Sequence, residues 1–179
     1  DVEKFVIELL QKQGFVYITP DELAKEREKL DEVVLIERLR RAVEKLNPDL
    51  SAAVRERAIK AMLDLHKPSI VDNNEDFHRM LTEGVSVEIM EGGYRRGKVA
   101  ALVDFDNLEN NDFVVTNQFS VHGLRERRPD VVLFVNGLPL VVIELKNPED
   151  EKADVFTAYK QFQTYKQDIP VLFYYNAVL

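Results

Sequence analysis

The stretch "RRPDVVLFVNGLPLVVIELKNP", residues 127 to 148, decides how the rest of the chain reads. "NG" between two apolar runs is the strongest short-range hairpin signal, because the turn needs positive φ at both of its central residues. With Asn136 and Gly137 as the turn, Val135 faces Leu138. Counting outward then sets Asp130 opposite Ile143, one residue from Glu144. Glu144 and Lys146, two apart, share a face of their strand. A strict two-residue turn puts Asp130 on the other face. For all three groups to converge, the loop must be odd in length or Asp130 must sit at a bulge or kink.

Charge at the ends of so apolar a hairpin needs a reason, since an unpaired ion taken out of water costs several kcal/mol or shifts its pKa. Two carboxylates held close repel, and one stays protonated unless a cation lies between them. Mg²⁺ suits such a place, taking one or two carboxylates, a carbonyl, waters and phosphate oxygens at ~2.0–2.1 Å. A neighbouring lysine then has chemistry available: it can position or deprotonate a water for attack on phosphorus. A buried Asp–Lys–Glu ion cluster at a sheet edge fits the bare spacing equally well, because D…ExK patterns are common.

Working outward, "DVVLFV" and "LVVIEL" are apolar on both faces, so helices or other layers should cover both sides of their sheet. "FVVTNQFSV" is a third strand before them. "VSVEIM", the turn "EGGYRRG" and "KVAALVDF" read as a hairpin, and "DNLENND" as a polar loop. Residues 1–84 read as mainly helical. "EKFVIELLQKQGF" closes on Gly14, and "LDEVVLIERLRRAVEKLNP" runs to Pro48 with apolar residues three and four apart. "SAAVRERAIKAMLDLHKP" starts on Ser51, and "NNEDFHRMLTEG" closes on Gly84. After the hairpin, "DVFTAYKQFQTYKQDI" is an amphipathic helix and "PVLFYYNAVL" a final buried strand. The expected fold is α/β (α+β): a mixed central sheet flanked by helices, in one domain with a helical part at 1–84 and a sheet-rich part at 85–179.

At 179 residues and 45% hydrophobic the chain has material for one core. No apolar run approaches the ~20 residues that span a bilayer, so no membrane partner is expected. No secretory signal is visible, which makes the cytoplasm the default location. With no cysteine, disulfides, Cys–zinc sites and thiol nucleophiles are excluded. A net charge of −8 argues against broad electrostatic grip on nucleic acid, yet it suits a metal-dependent site whose duplex is held by something else. The opening "DVEKF" and closing "FYYNAVL" read as a fragment of a larger polypeptide, with a processed short protein as the alternative.

"RPDVVLFVNGLPLVVIELKNP", with "VDFDNLENNDFVVTNQFSVHG" before it and "AYKQFQTYKQDIPVLFYYNAVL" after it, resembles the restriction (R) subunit of type I restriction-modification enzymes. The N-terminal domain of that subunit is a nuclease of the PD-(D/E)xK superfamily. The likeness runs from about residue 85 to 179, with the helical part similar in order. It implies Asp130 and Glu144 as metal ligands, the backbone carbonyl of Leu145 completing the set, and Lys146 as the catalytic lysine. It further implies Gln161 and Tyr165 as the Q-x-x-x-Y motif shared with RecB-type exonucleases; four apart on a helix, they lie on one face. Superfamily members often add an acidic residue from the first helix. Glu3 or Glu8 fits that place, Glu3 preferred because Glu8 also reads as solvated surface.

The same resemblance implies a Mg²⁺-dependent endonuclease, with Mn²⁺ able to replace Mg²⁺, that cuts double-stranded DNA. A helicase-like, ATP-driven motor would follow it in the chain, since no Walker-type loop occurs here. Methylation and specificity subunits would choose the DNA sequence. A stand-alone RecB-like exonuclease or resolvase is the second enzyme reading. A PD-(D/E)xK module that binds DNA or serves as scaffold without cutting is the rival from another class. Arg127 and Arg128, leading into Asp130, and Gln118 are candidates for DNA contact alongside "EGGYRRG". Gln118 and Asn117 either face the site from the neighbouring strand or satisfy a sheet edge. His66, His78 and His122 lie in no metal-ligand spacing and read as solvated.

Overall fold

The computed structural model describes residues 2–146 and 155–177. Asn147 and Pro148, Asp154 at the head of the expected last helix, and Val178 and Leu179 lie outside the described residues. The Asn-Gly turn forms as the sequence requires: Asn136 has φ +53° and Gly137 φ +81°. It joins β5 (Val131–Val135) to β6 (Leu138–Ile143), with Val135 opposite Leu138 and Phe134 opposite Pro139. The register then slips, so that Leu133 pairs with Val141, Val132 with Val142 and Val131 with Ile143. Leu140 is therefore an extra residue, a bulge on β6. Continued one step, the slipped register sets Asp130 opposite Glu144 rather than Ile143, and the demand for a bulge is met on the partner strand.

β6 can host both the bulge and Pro139 because it ends the sheet, whose order is β1-β4-β5-β6. Its neighbours are antiparallel, β4 (Phe113–Asn117) to β5 and β5 to β6, whereas β1 (Val16–Tyr17) runs parallel to β4. The sheet is mixed and the fold α/β. One face packs on α1 (Val2–Lys12), where Ile7 meets Val115, Val131 and Leu133. On the other face Val114, Val132, Phe134 and Leu138 join the main core with Leu39, Phe77, Tyr165 and Phe173. The last two come from α6 (Val155–Asp168) and a 3₁₀ turn at Pro170–Tyr174.

The remaining helices explain themselves locally. Ser51 caps α4 (Ala52–Leu63) and Ser69 caps α5 (Ile70–Glu83), each hydroxyl accepting a backbone N–H of the first turn. α2 (Pro20–Ala24) is a short helix the apolar periodicity gives no hint of. Thr19 and Glu22 close it with a reciprocal capping box, and Pro20 supplies the fixed φ of a first turn. The second hairpin, β2 (Val85–Glu91) with β3 (Tyr94–Ala100), forms its own two-stranded sheet packed against α4. Its turn is only Gly92–Gly93, so most of "EGGYRRG" is strand.

Three expectations are corrected. The helix expected from Leu30 begins at Ile36 as α3 (Ile36–Leu46), because the N–H of Leu35 is taken by Gly137 O (2.9 Å) in the hairpin turn. "FVVTNQFSV" leaves the strand after Asn117, where Gln118 turns to φ +47°. "PVLFYYNAVL" is not a strand over its described part. Its apolar run carries no period that separates strand from helix, and tertiary partners decide. Pro170 starts the 3₁₀ turn, and the buried amide of Asn74 gathers the carbonyls of Phe173, Tyr174 and Asn176 at 3.3, 3.1 and 2.8 Å. The chain reaches the sheet at Asn176, whose Nδ2 donates to Pro139 O (2.9 Å), and at Ala177, whose N–H donates to Leu140 O (2.7 Å) at the bulge. Residues 1–84 also contribute β1, so the helical part supplies a sheet strand as well.

Candidate active site

The bulge brings Asp130, Glu144 and Lys146 to one end of β5 and β6. Asp130 lies just before β5, and its carbonyl accepts from Gln118 N (3.0 Å), extending the β4 ladder by a residue. Its side chain reaches across to the next strand, where Oδ2 accepts from Leu145 N at 2.8 Å. That contact fixes the carboxylate against the residue between Glu144 and Lys146. Glu144 is buried at the side chain (5% exposed), and its Oε1 is 2.8 Å from Lys146 Nζ. An unpartnered carboxylate at that depth would be costly; the pair makes it tolerable.

α6 holds Glu144 from above. Tyr165, 3% exposed, donates its hydroxyl to Glu144 Oε2 at 3.0 Å, and Gln161 Nε2 donates to Tyr165 Oη at 3.0 Å. One turn apart, the two act in series on one carboxylate. Burial pushes the Tyr165 phenol up to about 12, with the charges of Glu144 and Asp130 adding to the rise and the Gln161 hydrogen bond opposing it.

The neutral phenol is the form the fold favours, so its stabilisation is complete below pH 10 and is lost as pH rises toward 12. Tyr165→Phe removes a hydrogen bond to a charged group, a loss of about 2 kcal/mol. Urea unfolding at neutral pH should show that loss. The variant should also lack this part of the alkaline decline, so the stability gap to wild type should narrow above pH 10.

From the other face, α1 presents Glu3. Asn117 Nδ2 donates to Glu3 Oε1 at 2.7 Å, and Tyr17 on β1 donates its hydroxyl to Asn117 Oδ1 at 2.9 Å. Gln118 Nε2 stands 3.4 Å from both oxygens of Glu3 and 3.4 Å from Asp130 Oδ1. Glu8 instead faces Lys4 at 3.9 Å on the exposed side of the helix. Of the two acidic candidates on α1, Glu3 is the one at the site. Tyr17 escaped the sequence reading, although "FVYI" directly after Gly14 carries a short strand signal that would have flagged it.

The basic candidates stand otherwise. Arg127 is bound to Asp168 at the end of α6, with Nη2 at 2.5 Å, and Arg128 pairs with Glu126 at 2.8 Å. Arg95 and Arg96 of "EGGYRRG" pair with Glu88 and Glu91 across their own hairpin, away from the four-stranded sheet. His66 and His122 meet Asp64 and Glu126 at the surface. His78 is not a solvated residue: its Nε2 is 2.8 Å from Asn176 O, and its ring packs edge-on to Phe77.

Among the described residues no three Asp, Glu or His side chains form a ready-made cage. Mg²⁺ asks for less, since it keeps most of its waters and takes one or two carboxylates. Asp130 and Glu144, opposed in register and with the Leu145 N–H on Asp130, are a donor set that fits it. Each carboxylate oxygen has two lone pairs, so the hydrogen bonds to Leu145, Tyr165 and Lys146 leave acceptor capacity.

The whole sequence, residues 1–179, matches the family described as "Type I restriction enzyme R protein N terminus". The Type I restriction enzyme HindI endonuclease subunit of Haemophilus influenzae is 39% identical over 100% of this chain and 18% of its own length. A Methanocaldococcus jannaschii relative is 32% identical over 99% of the chain and 18% of its own length. The Type I restriction enzyme SauCOLORF180P endonuclease subunit of Staphylococcus aureus is 44% identical over 36% of the chain and 7% of its own length. The chain thus spans less than a fifth of the length of these relatives. With its full length matched, it belongs to the family of type I restriction enzyme R protein N-terminal regions.

Proposed function

We propose that this chain is the Mg²⁺-dependent endonuclease part of a type I restriction enzyme and hydrolyses phosphodiester bonds in double-stranded DNA. The observation that carries the reading is the Leu140 bulge: by shifting register one residue it sets Asp130 against Glu144, with Lys146 on the same carboxylate. Without that shift Glu144 and Lys146 would lie on the face opposite Asp130. When bound, Mg²⁺ supplies positive charge that offsets charge on the phosphate and on the leaving oxygen. Asp130 and Glu144 would hold it, with the Leu145 carbonyl. Lys146 orients the attacking water and manages its proton. Tyr165 and Gln161 keep Glu144 aimed, and Leu145 N does the same for Asp130.

An ATP-driven motor elsewhere in the protein moves the duplex, and methylation and specificity subunits choose its sequence. Division of labour accounts for a net charge of −8 on a nuclease, since the other parts hold the phosphates. No helix among the described residues is long and apolar enough to cross a membrane, and a cytoplasmic site of action fits the reading.

The test pairs metal with substrate topology. Covalently closed plasmid should be cut by the intact enzyme with Mg²⁺ or Mn²⁺ and left whole in EDTA. Glu144→Gln should lose both the cutting and the metal-dependent rise in melting temperature, a linkage that disappears when the site no longer binds. Closed circles left whole while linear DNA is degraded from its ends would favour the RecB-like exonuclease reading. Metal-independent melting in wild type would favour a module that does not cut.

A further inference from the structure

We infer that Gln118 is a positioning residue of this centre: its amide clamps the carboxylates of Glu3 and Asp130 across the end of the sheet, and its left-handed backbone is strain kept for that purpose. The inference rests on the metal-site reading above and goes beyond it in giving Glu3 and Gln118 a shared task. Among the described residues only two that are not glycine have positive φ, Asn136 and Gln118. Asn136 is accounted for by the hairpin turn, where its residue type is favoured. Gln118 has no such account. Glutamine is not among the residues enriched in that region, and backbone outliers of this kind gather where function demands them.

The geometry shows what the outlier achieves. β4 ends at Asn117, whose side chain lies on the α1 face and holds Glu3 Oε1 at 2.7 Å. Asp130 has the parity of Val132 and Phe134, which belong to the opposite face. A strand that simply continued would commit residue 118 to one face and out of reach of the other carboxylate. The turn to φ +47° lets the Gln118 amide stand between the two, 3.4 Å from both oxygens of Glu3 and from Asp130 Oδ1.

The tight contacts lie elsewhere. Asn117, itself held by Tyr17 at 2.9 Å, fixes Glu3, and Leu145 N fixes Asp130 at 2.8 Å. The long contacts of Gln118 offset repulsion between two like charges and hold the acidic pair at a fixed spacing.

Two variants separate clamp from scaffold. Gln118→Gly removes the amide and relieves the backbone, whereas Gln118→Ala removes the amide and keeps the strain. Both should weaken Mn²⁺ binding about tenfold, the range seen when partners of metal-ligating side chains are lost. The readout is the Mn²⁺ concentration that half-raises the melting temperature, repeated as the half-saturating concentration for plasmid cutting by the intact enzyme. In EDTA, Gln118→Gly should melt at the wild-type temperature or about 2 °C above it, since strain is removed. Unchanged Mn²⁺ midpoints in both variants would overturn the clamp and leave the metal reading standing. So would a Gln118→Gly variant that melts well below wild type in EDTA, because the conformation would then serve the fold. Absence of any Mn²⁺ effect in wild type would remove the metal reading and the clamp together.

Discussion

Asp130→Asn is expected to reduce DNA cutting by the intact enzyme on the order of 10³-fold or more, since a catalytic cation supplies several kcal/mol of charge stabilisation. Asparagine is the informative replacement. Its Oδ1 can still accept from Leu145 N, the contact that pins the residue before β5 to the segment just after β6 at 2.8 Å. Shape and hydrogen bonding survive while the negative charge is removed. Melting temperature without metal should therefore change little, and it should rise if repulsion between Asp130 and Glu3 or Glu144 is felt in the empty site. A variant that cuts poorly and also melts many degrees lower would assign Asp130 to the fold instead. Cutting at the wild-type rate would remove it from the chemistry.

The second large effect is on folding. Gly137→Ala should destabilise the protein by about 3 kcal/mol or more, enough to leave little folded protein near body temperature. Two causes add. Gly137 has φ +81°, a region that costs a residue with a side chain about 1 kcal/mol or more. A Cβ there would also lie 2.4 Å from Leu35 O and 3.1 Å from Arg38 Cβ, so the start of α3 would have to move. The same start is tied to the turn by Leu35 N on Gly137 O, and Asn136 beside it is wholly buried. Its amide accepts from Asp112 N and donates to Leu102 O and to Asn111 Oδ1. The turn is thus a buried junction of hairpin, helix and loop. Urea unfolding is the direct check, and a loss under 1 kcal/mol would show that α3 yields easily.

The two effects share one origin, and it also marks how far the sequence could be read. "NG" announced the turn because backbone sterics leave few other residues there, and the apolar runs on either side fixed strands covered on both faces. The requirement for a bulge followed from parity alone. Its position at Leu140 did not, because a bulge is chosen by edge location and by the contact from Ala177 N, neither of which has a sequence signature. The helix cap at Ser51 and the glycine stops at Gly14 and Gly84 were local and readable; the cap at Ser69 escaped the sequence reading, and α5 begins at Ile70, ahead of the expected start at Asn73. The segment "PVLFYY" was not, since its shape depends on a carboxamide from Asn74, about a hundred residues away.

At the site, spacing alone offered Asp130, Glu144 and Lys146, and the family resemblance singled them out and added Gln161 and Tyr165. Hydrogen bonds link Gln161, Tyr165, Glu144 and Lys146 in series, and Asp130 accepts from Leu145 N beside them. Arg127 illustrates another limit: charge next to a motif suggested DNA, and its ion pair with Asp168 could not be foreseen. Sequence position cannot reveal an ion pair with a helix end forty-one residues on.

Lys146 carries the central claim, because an ion cluster and a nuclease centre assign it different tasks. In a cluster it only balances Glu144, and its loss is felt as stability. In the nuclease it serves the attacking water, and its loss is felt as rate, typically 10²–10⁴-fold for a group that manages a proton. The deciding measurement is plasmid cutting by the intact enzyme with ATP and Mg²⁺, wild type against Lys146→Ala, with ATP hydrolysis followed in the same tubes. The account predicts ATP turnover within about twofold of wild type and closed plasmid left uncut, a split between motor and nuclease in line with proton-management losses of that size. Cutting by Lys146→Ala at the wild-type rate would contradict it and make Asp130, Glu144 and Lys146 a structural ion cluster.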